Sequence, residues 1–372
     1  MLSVGIVGLP NVGKSTLFNA LTAAGAEVSN YPFTTIDSNV GMVAVPDPRL
    51  EALERLLEPD EAAPAFIKFT DIAGLVEGAS RGEGLGNQFL GEIRVVDAIA
   101  HVVRSFPDPD VVHVAGSVGP LRDVEVIETE LLLADLELLE SAIAKRSKQW
   151  QTAPRDHAGE KERLTAWQAQ LAAGEPLAGL DLTPEDRQEA KGLGLLTAKP
   201  ILYVANVGED GYGADDGGGN GGEEAANLRR ALTDSGREQP LVALSARLEA
   251  ELAELDPEER ALFLDDLGLE RSGLERLAEA AFSMLDLIRF YTVVGGKKIR
   301  AWEVPRGTPA PQAAGRVHSD MEEGFIRAKV AAYDELMEAG GFADLTQRGR
   351  VRTEGKDYVV QDGDVVEFLF SE

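Results

Sequence analysis

The chain has 372 residues, a formal net charge of −28 and 44% hydrophobic residues, a length that points to two or three domains with packed cores. Its acidic balance argues against a general nucleic-acid coat, since phosphate binding is driven by cationic surface, and leaves room only for a local basic patch. With no cysteine, disulfides, zinc–thiolate sites and thiol redox switching are excluded; with no apolar run of membrane-spanning length and no signal peptide, a soluble cytoplasmic protein, without a membrane partner, is the expectation, and a monomer is expected.

Leu2 to Val7 reads as a first strand. It leads through Gly8-Leu9-Pro10-Asn11-Val12-Gly13-Lys14-Ser15-Thr16 into a helix beginning near Leu17. The G-x-x-x-x-G-K-S/T spacing is complete from Gly8 to Ser15, between a strand and a helix, as a phosphate-binding loop requires. The glycines let backbone N–H groups turn inward on a phosphate chain, and the helix N-terminus adds its dipole. Lys14 reaches the β- and γ-phosphates, and the Ser15 hydroxyl is offered to Mg²⁺. Further strands are expected at Gly41–Val45, Phe66–Thr70, Ala98–Val103, Pro200–Ala205 and Leu241–Leu244, with helices between most of them. This is the pattern of an α/β domain with a mostly parallel sheet.

The alternation breaks after the fourth strand. Val124 to Lys148 is a leucine-rich helix, Thr152 to Gly159 interrupts it, and Glu160 to Ala173 is a second helix with Leu164, Trp167 and Leu171 at helical spacing. Together they predict an antiparallel helical hairpin whose leucine stripe serves packing before partners. Gly208 to Gly222 is glycine-rich and too polar to bury a core. Ser272 to Arg289 reads as the helix closing the α/β domain. After it come a hairpin over Tyr291–Val304, a largely helical stretch from Pro311 to Phe325, and strands at Arg350–Val360 and Val365–Phe370 with a turn at Asp362-Gly363. The domain reading is therefore 1–122 and 197–289 for the nucleotide domain, 123–196 for the helical insertion, and 290–372 for a small α+β domain.

The phosphate loop needs a metal partner. Phe69-Thr70-Asp71-Ile72-Ala73-Gly74 supplies it, with Asp71 at a strand end to hold Mg²⁺ through water and the Gly74 N–H to sense the γ-phosphate. In Asn30-Tyr31-Pro32-Phe33-Thr34-Thr35, a threonine hydroxyl completes the Mg²⁺ shell while the γ-phosphate is present; Thr35 is the choice and Thr34 the reserve. The base is expected at the ends of the fifth and sixth strands. Asn206-Val207-Gly208-Glu209 stands where GTPases carry N-K-x-D, and Leu244-Ser245-Ala246 is the matching S-A element. The guanine-reading aspartate accepts N1–H and the 2-amino group. Replacing it by Glu209 shifts the acceptors, so specificity relaxes or turns toward ATP. Leu75 occupies the place of the glutamine that orients the attacking water in Ras-like switches, so intrinsic hydrolysis is expected to be slow. Asn11 either helps hold a monovalent cation such as K⁺ near the phosphates or makes a loop-stabilising hydrogen bond. The histidines (His101, His113, His157, His318) have no metal-ligand spacing and read as structural or surface residues. Lys297-Lys298-Ile299-Arg300, with Trp302 nearby for stacking, is the best local basic patch; it reads either as an RNA face or as a solvated hairpin.

Gly8–Thr16, Asn30–Thr35 and Asp71–Ala79 resemble the Obg-related translation-factor GTPases. Arg81–Leu90, Asn206–Glu209 and the tail from Tyr291 to Phe370 make the chain similar, over its whole length, to the Obg-like ATPase branch, the YchF family. The resemblance implies ATP hydrolysis in preference to GTP, Mg²⁺, a coiled-coil insertion, a C-terminal TGS domain of β-grasp type, and association with the ribosome, through the TGS domain or the helical arm, with effects on translation and stress responses. By the same carry-over Asn11, Val12, Gly13, Lys14, Ser15 and Thr16 hold phosphates, Ser15 and Thr35 the metal, and Asn206 and Glu209 lie at the base, with Val207, Ser245 and Ala246 beside them. The chain departs from the family at Ser105, where a cysteine is common, so redox control through a thiol is not available.

Overall fold

The computed structural model describes residues 2–26, 39–72, 85–109, 111–209, 212, 222–294 and 297–371. Its first elements in chain order are β1 (Ser3–Val7), α1 (Lys14–Ala26), β2 (Val40–Ala44), α2 (Pro48–Leu57), β3 (Glu61–Ala63), β4 (Phe66–Asp71), α3 (Leu85–Val95), β5 (Ala98–Arg104), α4 (Pro120–Thr152), α5 (Ala158–Ala172), α6 (Pro184–Leu193), β6 (Ile201–Asn206), α7 (Gly222–Asp234), β7 (Leu241–Leu244), α8 (Ala246–Leu252), α9 (Pro257–Asp266) and α10 (Gly273–Met284). The remainder is β8 (Leu287–Val294), β9 (Lys298–Pro305), α11 (Ala310–Val317), α12 (Ser319–Glu323), β10 (Phe325–Ala332), α13 (Tyr333–Ala339), α14 (Phe342–Gln347), β11 (Arg352–Glu354) and β12 (Asp364–Phe370).

A six-stranded sheet runs β2-β4-β1-β5-β6-β7. It is parallel except at its β2–β4 edge, so the mostly parallel α/β reading holds. Every residue of β5 is buried, which is why Ala98 to Val103 reads as one apolar run without alternation. Helices cover both faces, and the C-terminal strand ends point to the loops that carry Gly8–Gly13, Asp71, Asn206 and Ser245.

The helical hairpin is present, and its two halves have different tasks. The first turns of α4 pack Val124, Ile127, Leu131 and Ala134 into the core of the sheet domain. Farther on, Leu139 and Trp150 join Leu164, Trp167 and Leu171 of α5 in a separate core. Trp150 Nε1 donates to Glu160 Oε2 across the hairpin at 3.0 Å. The leucine stripe is thus consumed by packing. Buried Asp135 accepts the backbone N–H groups of Leu196 and Thr197 at 2.8 and 2.7 Å, which fastens α4 to the chain returning toward β6.

The second sheet runs β11-β10-β12-β8-β9-β3. Its edge strand β3 comes from the first part of the chain and pairs in parallel with β9, Ala62 opposite Ile299. Leu50 and Leu53 of α2 share a core with Tyr291, Ile299, Leu336 and Val365. Asp47 caps α2, accepting from Arg49 N at 3.1 Å, and also accepts the Tyr291 hydroxyl at 2.7 Å. Arg49 forks onto Asp362 at 2.9 and 3.1 Å. The segment between β2 and β4 is therefore built into the C-terminal sheet.

Several expected boundaries move. The closing helix stops at Met284, because Asp286 takes a positive φ of 47° and turns the chain into β8, so Leu287 to Arg289 is strand. Phe325 opens a strand instead of ending a helix, and α13 and α14 follow it where no element was expected. Of Arg350 to Val360 only β11 is a strand; Val359 makes an isolated bridge to Pro309. Among the described residues no helix is long and apolar enough to cross a membrane.

Candidate functional site

The phosphate loop is shaped by close approach. A Cβ on Gly8 would lie 2.5 Å from the Val102 carbonyl oxygen, so only glycine lets the loop leave β1 beside β5. Gly13 has φ +98°, and a Cβ there would strike the Asn206 carboxamide. Val12 is buried and anchors the loop in the core. The Gly13 carbonyl accepts from Leu17 N at 2.9 Å, opening the first turn of α1. Ser15 and Thr16 are exposed on that turn.

Lys14 folds back over the loop and donates to the Leu9 carbonyl at 2.7 Å. It is 8% exposed. Burial lowers its pKa to about 8, against the opposing pull of Asp71. Asp71 ends β4 opposite Ile6. Burial raises its carboxyl, and the Lys14 charge lowers it. An ammonium and a carboxylate thus sit near one another under the loop, each disfavoured by lost solvation. His101 on β5, opposite Val7, is buried and neutral: burial first and Lys14 second lower its pKa to about 3. The donor set of Ser15 hydroxyl and Asp71 carboxylate is the hard-oxygen kind that Mg²⁺ takes.

The strand end expected at the base is tied to the phosphate loop through the Asn206 amide. Asn206 is buried, donates Nδ2 to the Val12 carbonyl at 2.9 Å and accepts from Ala246 N at 3.0 Å. It therefore locks the phosphate loop to the Ser245-Ala246 turn. Val207, at the place of the lysine of N-K-x-D, is buried, and its N–H bonds to the Leu244 carbonyl at 3.0 Å. Ser245 is buried ahead of α8. Glu209 is half-exposed and its Oε1 lies 2.8 Å from Arg247 Nε.

Asn11 takes φ +62° and donates Nδ2 to the Val112 carbonyl at 3.1 Å. The loop-stabilising bond is therefore made, leaving the carboxamide oxygen for other work. Thr34, Thr35, Gly74 and Leu75 lie outside the described residues, as does most of 208–222. His113 is buried with Nε2 2.8 Å from Asp123, while its Nδ1 accepts from Ala115 N. Two contributors escaped sequence reasoning. Buried Arg104 donates to the carbonyls of Phe106, Asp108 and Val111, holding the loop that receives Asn11. Tyr212 is buried beside Glu249 of α8. Neither carries a motif; an arginine ending an otherwise apolar strand was the available signal for Arg104.

The basic patch is altered by the fold. Lys298 pairs with Glu61 at 2.5 Å, and Lys297 lies 3.9 Å from Asp60. Trp302 is 8% exposed, bonds Nε1 to Thr292 at 2.9 Å and is covered by Arg300 at 4.1 Å from its ring centroid. It offers no stacking face to a base, which corrects that expectation.

Comparison with known proteins places this geometry. Residues 3–134 match a family model described as 50S ribosome-binding GTPase, and residues 287–371 match the YchF-GTPase_C model, described as a protein of unknown function. The chain is 49% identical to the ribosome-binding ATPase YchF of Bacillus subtilis (strain 168), with 100% of this chain and 99% of that protein covered. It is 46% identical to the protein of the same name from Escherichia coli O157:H7, covering 99% and 98%. The solved Schizosaccharomyces pombe YchF GTPase superposes with TM-score 0.86 at 33% identity, covering 99% of this chain and 97% of that one. A phosphate loop locked through Asn206 to the Ser245-Ala246 turn, on a sheet whose C-terminal companion is built partly from β3, accords with these full-length likenesses: the chain belongs to the YchF family of P-loop nucleotide triphosphatases.

Proposed function

We propose that this chain is a ribosome-associated switch that binds and slowly hydrolyses ATP. The observation that carries the nucleotide choice is the Asn206–Glu209 turn. Asn206 spends both ends of its amide on Val12 and Ala246, and Glu209, the counterpart of the guanine-reading aspartate, is engaged by Arg247. A site that accepts two guanine protons needs that carboxylate for the base. Lys14 supplies positive charge to the β- and γ-phosphates, and the N-terminal turn of α1 supplies N–H groups. Ser15, Thr35 and Asp71 would hold Mg²⁺, which when bound neutralises phosphate charge. The Gly74 N–H is assigned to the γ-phosphate. Leucine at position 75 has no group to orient water, so turnover without a partner is slow. Asn11, its Nδ2 fixed on Val112, leaves its oxygen as a candidate K⁺ ligand. Hydrolysis removes the γ-phosphate contacts of Thr35 and Gly74, which makes the bound nucleotide a signal. The ribosomal partner is proposed from the names of the relatives, with the C-terminal domain or the helical arm as the contacting part, and GTP as the weaker nucleotide.

The name of the fission-yeast structure, a GTPase, favours a second reading in which the altered motif only loosens specificity. Equilibrium affinities for ATP and GTP in Mg²⁺ and K⁺ decide between them. ATP binding at least about tenfold tighter, roughly 1.4 kcal/mol, sustains the ATPase reading; tighter GTP binding overturns it. Phosphate release with and without K⁺ separates hydrolysis from binding alone, and co-sedimentation with ribosomes in ATP, in ADP and without nucleotide tests the output.

A further inference from the structure

Two described residues after β6, Glu209 and Tyr212, are held against α8. The Tyr212 hydroxyl donates to the Glu249 carboxylate and accepts the Gly273 N–H at 2.9 Å. Glu249 in turn accepts Gly273 N at 2.6 Å and Leu274 N at 3.2 Å, so this anchor is buried and fully bonded. Tyr212 N donates to the Glu209 carbonyl at 3.1 Å, which sets the backbone of Glu209. The freedom left at Glu209 is the direction of its carboxylate. Arg247, two residues before Glu249 on the same helix, fixes that direction at 2.8 Å and lies 3.5 Å from Glu251 one turn farther on.

We propose that Arg247 is a specificity-positioning residue: it turns and neutralises the Glu209 carboxylate so that guanine finds no acceptor there. This rests on the ATP reading above and deepens it. Guanine presents two donors, N1–H and the 2-amino group, and would be captured by a free carboxylate. Adenine presents an acceptor at N1, which a free carboxylate repels. Pairing Glu209 with a guanidinium therefore removes a gain for guanine and a penalty for adenine together. Glu251 provides a second carboxylate beside Arg247, keeping the guanidinium near the turn.

The test is the ratio of equilibrium dissociation constants for ATP, GTP and ITP on the full chain in Mg²⁺ and K⁺. Arg247 is 74% and Glu209 44% exposed as side chains, so their variants are expected to fold, and a thermal melt of each checks this. Arg247→Gln should shift the ratio toward GTP by about three- to fivefold, the scale of an exposed ion pair. Arg247→Lys should keep most of the original ratio. ITP, which lacks the 2-amino group, should gain less than GTP. Adding Glu209→Gln to Arg247→Gln should abolish the gain, since the gain is Glu209's. An unshifted ratio in Arg247→Gln overturns the proposal, as does a GTP gain that survives in the double variant. A wild-type chain that already prefers GTP sinks the ATP reading itself, an outcome visible before any variant is made.

Discussion

The two six-stranded sheets formed by the described residues are put together in opposite ways. In the nucleotide sheet the strand ends carry the residues proposed for the chemistry, each adjacent in sequence to the strand that positions it: Val7 before Gly8, Asp71 on β4, Asn206 on β6. The C-terminal sheet borrows its edge from far away, pairing β3 with β9. The difference teaches that the second sheet is more than an appended domain. Its edge strand and α2 lie between β2 and β4, so the chain that ends at Asp71 is threaded through it.

The contrast can be broken at either end. The largest effect is expected on the nucleotide side, at Asn206→Ala, which strands the Val12 carbonyl and the Ala246 N–H in a buried place. Two lost buried partners cost about 2–4 kcal/mol, and ATP affinity should fall at least about tenfold. Urea denaturation and calorimetry check both; a loss below about 1 kcal/mol would show that the amide is not the lock described. Next is Asp47→Ala at the other sheet. It removes the α2 cap and leaves the Tyr291 hydroxyl without its acceptor, for about 2–3 kcal/mol. Unchanged stability would mean that the β2–β4 excursion is not fastened there.

A smaller effect, on binding, follows from Lys14. With its pKa lowered to about 8 by burial, the ammonium is present below that pH and is lost as pH rises through it. Phosphate binding favours the charged form, so ATP binding takes up a proton above pH 8. Affinity should weaken about tenfold between pH 7 and pH 9, and uptake at pH 8.5 should approach roughly 0.7 proton. Calorimetry in two buffers of different ionisation heat measures it; zero uptake would place the Lys14 pKa well above 9. The smallest effect is the Arg49–Asp362 fork, with side chains 27% and 41% exposed. A double-mutant cycle with Arg49→Ala and Asp362→Ala should give about 0.5–1 kcal/mol of coupling. A null coupling would leave the apolar core around Leu53 and Tyr291 as the main tie.

These two regions were also unequally legible. The phosphate loop, the β4 aspartate and the positions of the parallel strands along the chain could be read because strand, turn glycine and polar side chain are neighbours in sequence; the order of the strands in the sheet is given by the fold alone. The sequence reading assigns Asn206 to the base; its bonds to Val12 and Ala246 depend on two other loops and have no local sign. The failures cluster where pairing is long-range. Glu61-Ala62-Ala63 has no alternation and sits between prolines, so nothing local marks it as a strand; β9 makes it one. Phe325 to Ala332 carries no clear strand signal, because its exposed Arg327 and Lys329 hide a buried Phe325, Ala328 and Val330. The break after Met284 is made by an aspartate in a left-handed conformation, a position where glycine is the usual signal. Trp302 beside basic residues looked like a stacking platform, and only the fold shows Arg300 lying over it.

The β3–β9 pairing has a consequence in time. Glu61 and Lys298 are 237 positions apart. At about 5–20 residues per second of synthesis, β9 is made on the order of 10–50 s after β3. Every strand of the nucleotide sheet, and the side chains up to Leu287 that complete its core, are made before β9, while residues 47–63 wait for their partner. A nascent chain therefore carries Gly8–Ser15, Asn206 and Ala246 before the partner of β3 exists, and the docking of the excursion that leads to Asp71 must wait for the arrival of the C-terminal sheet.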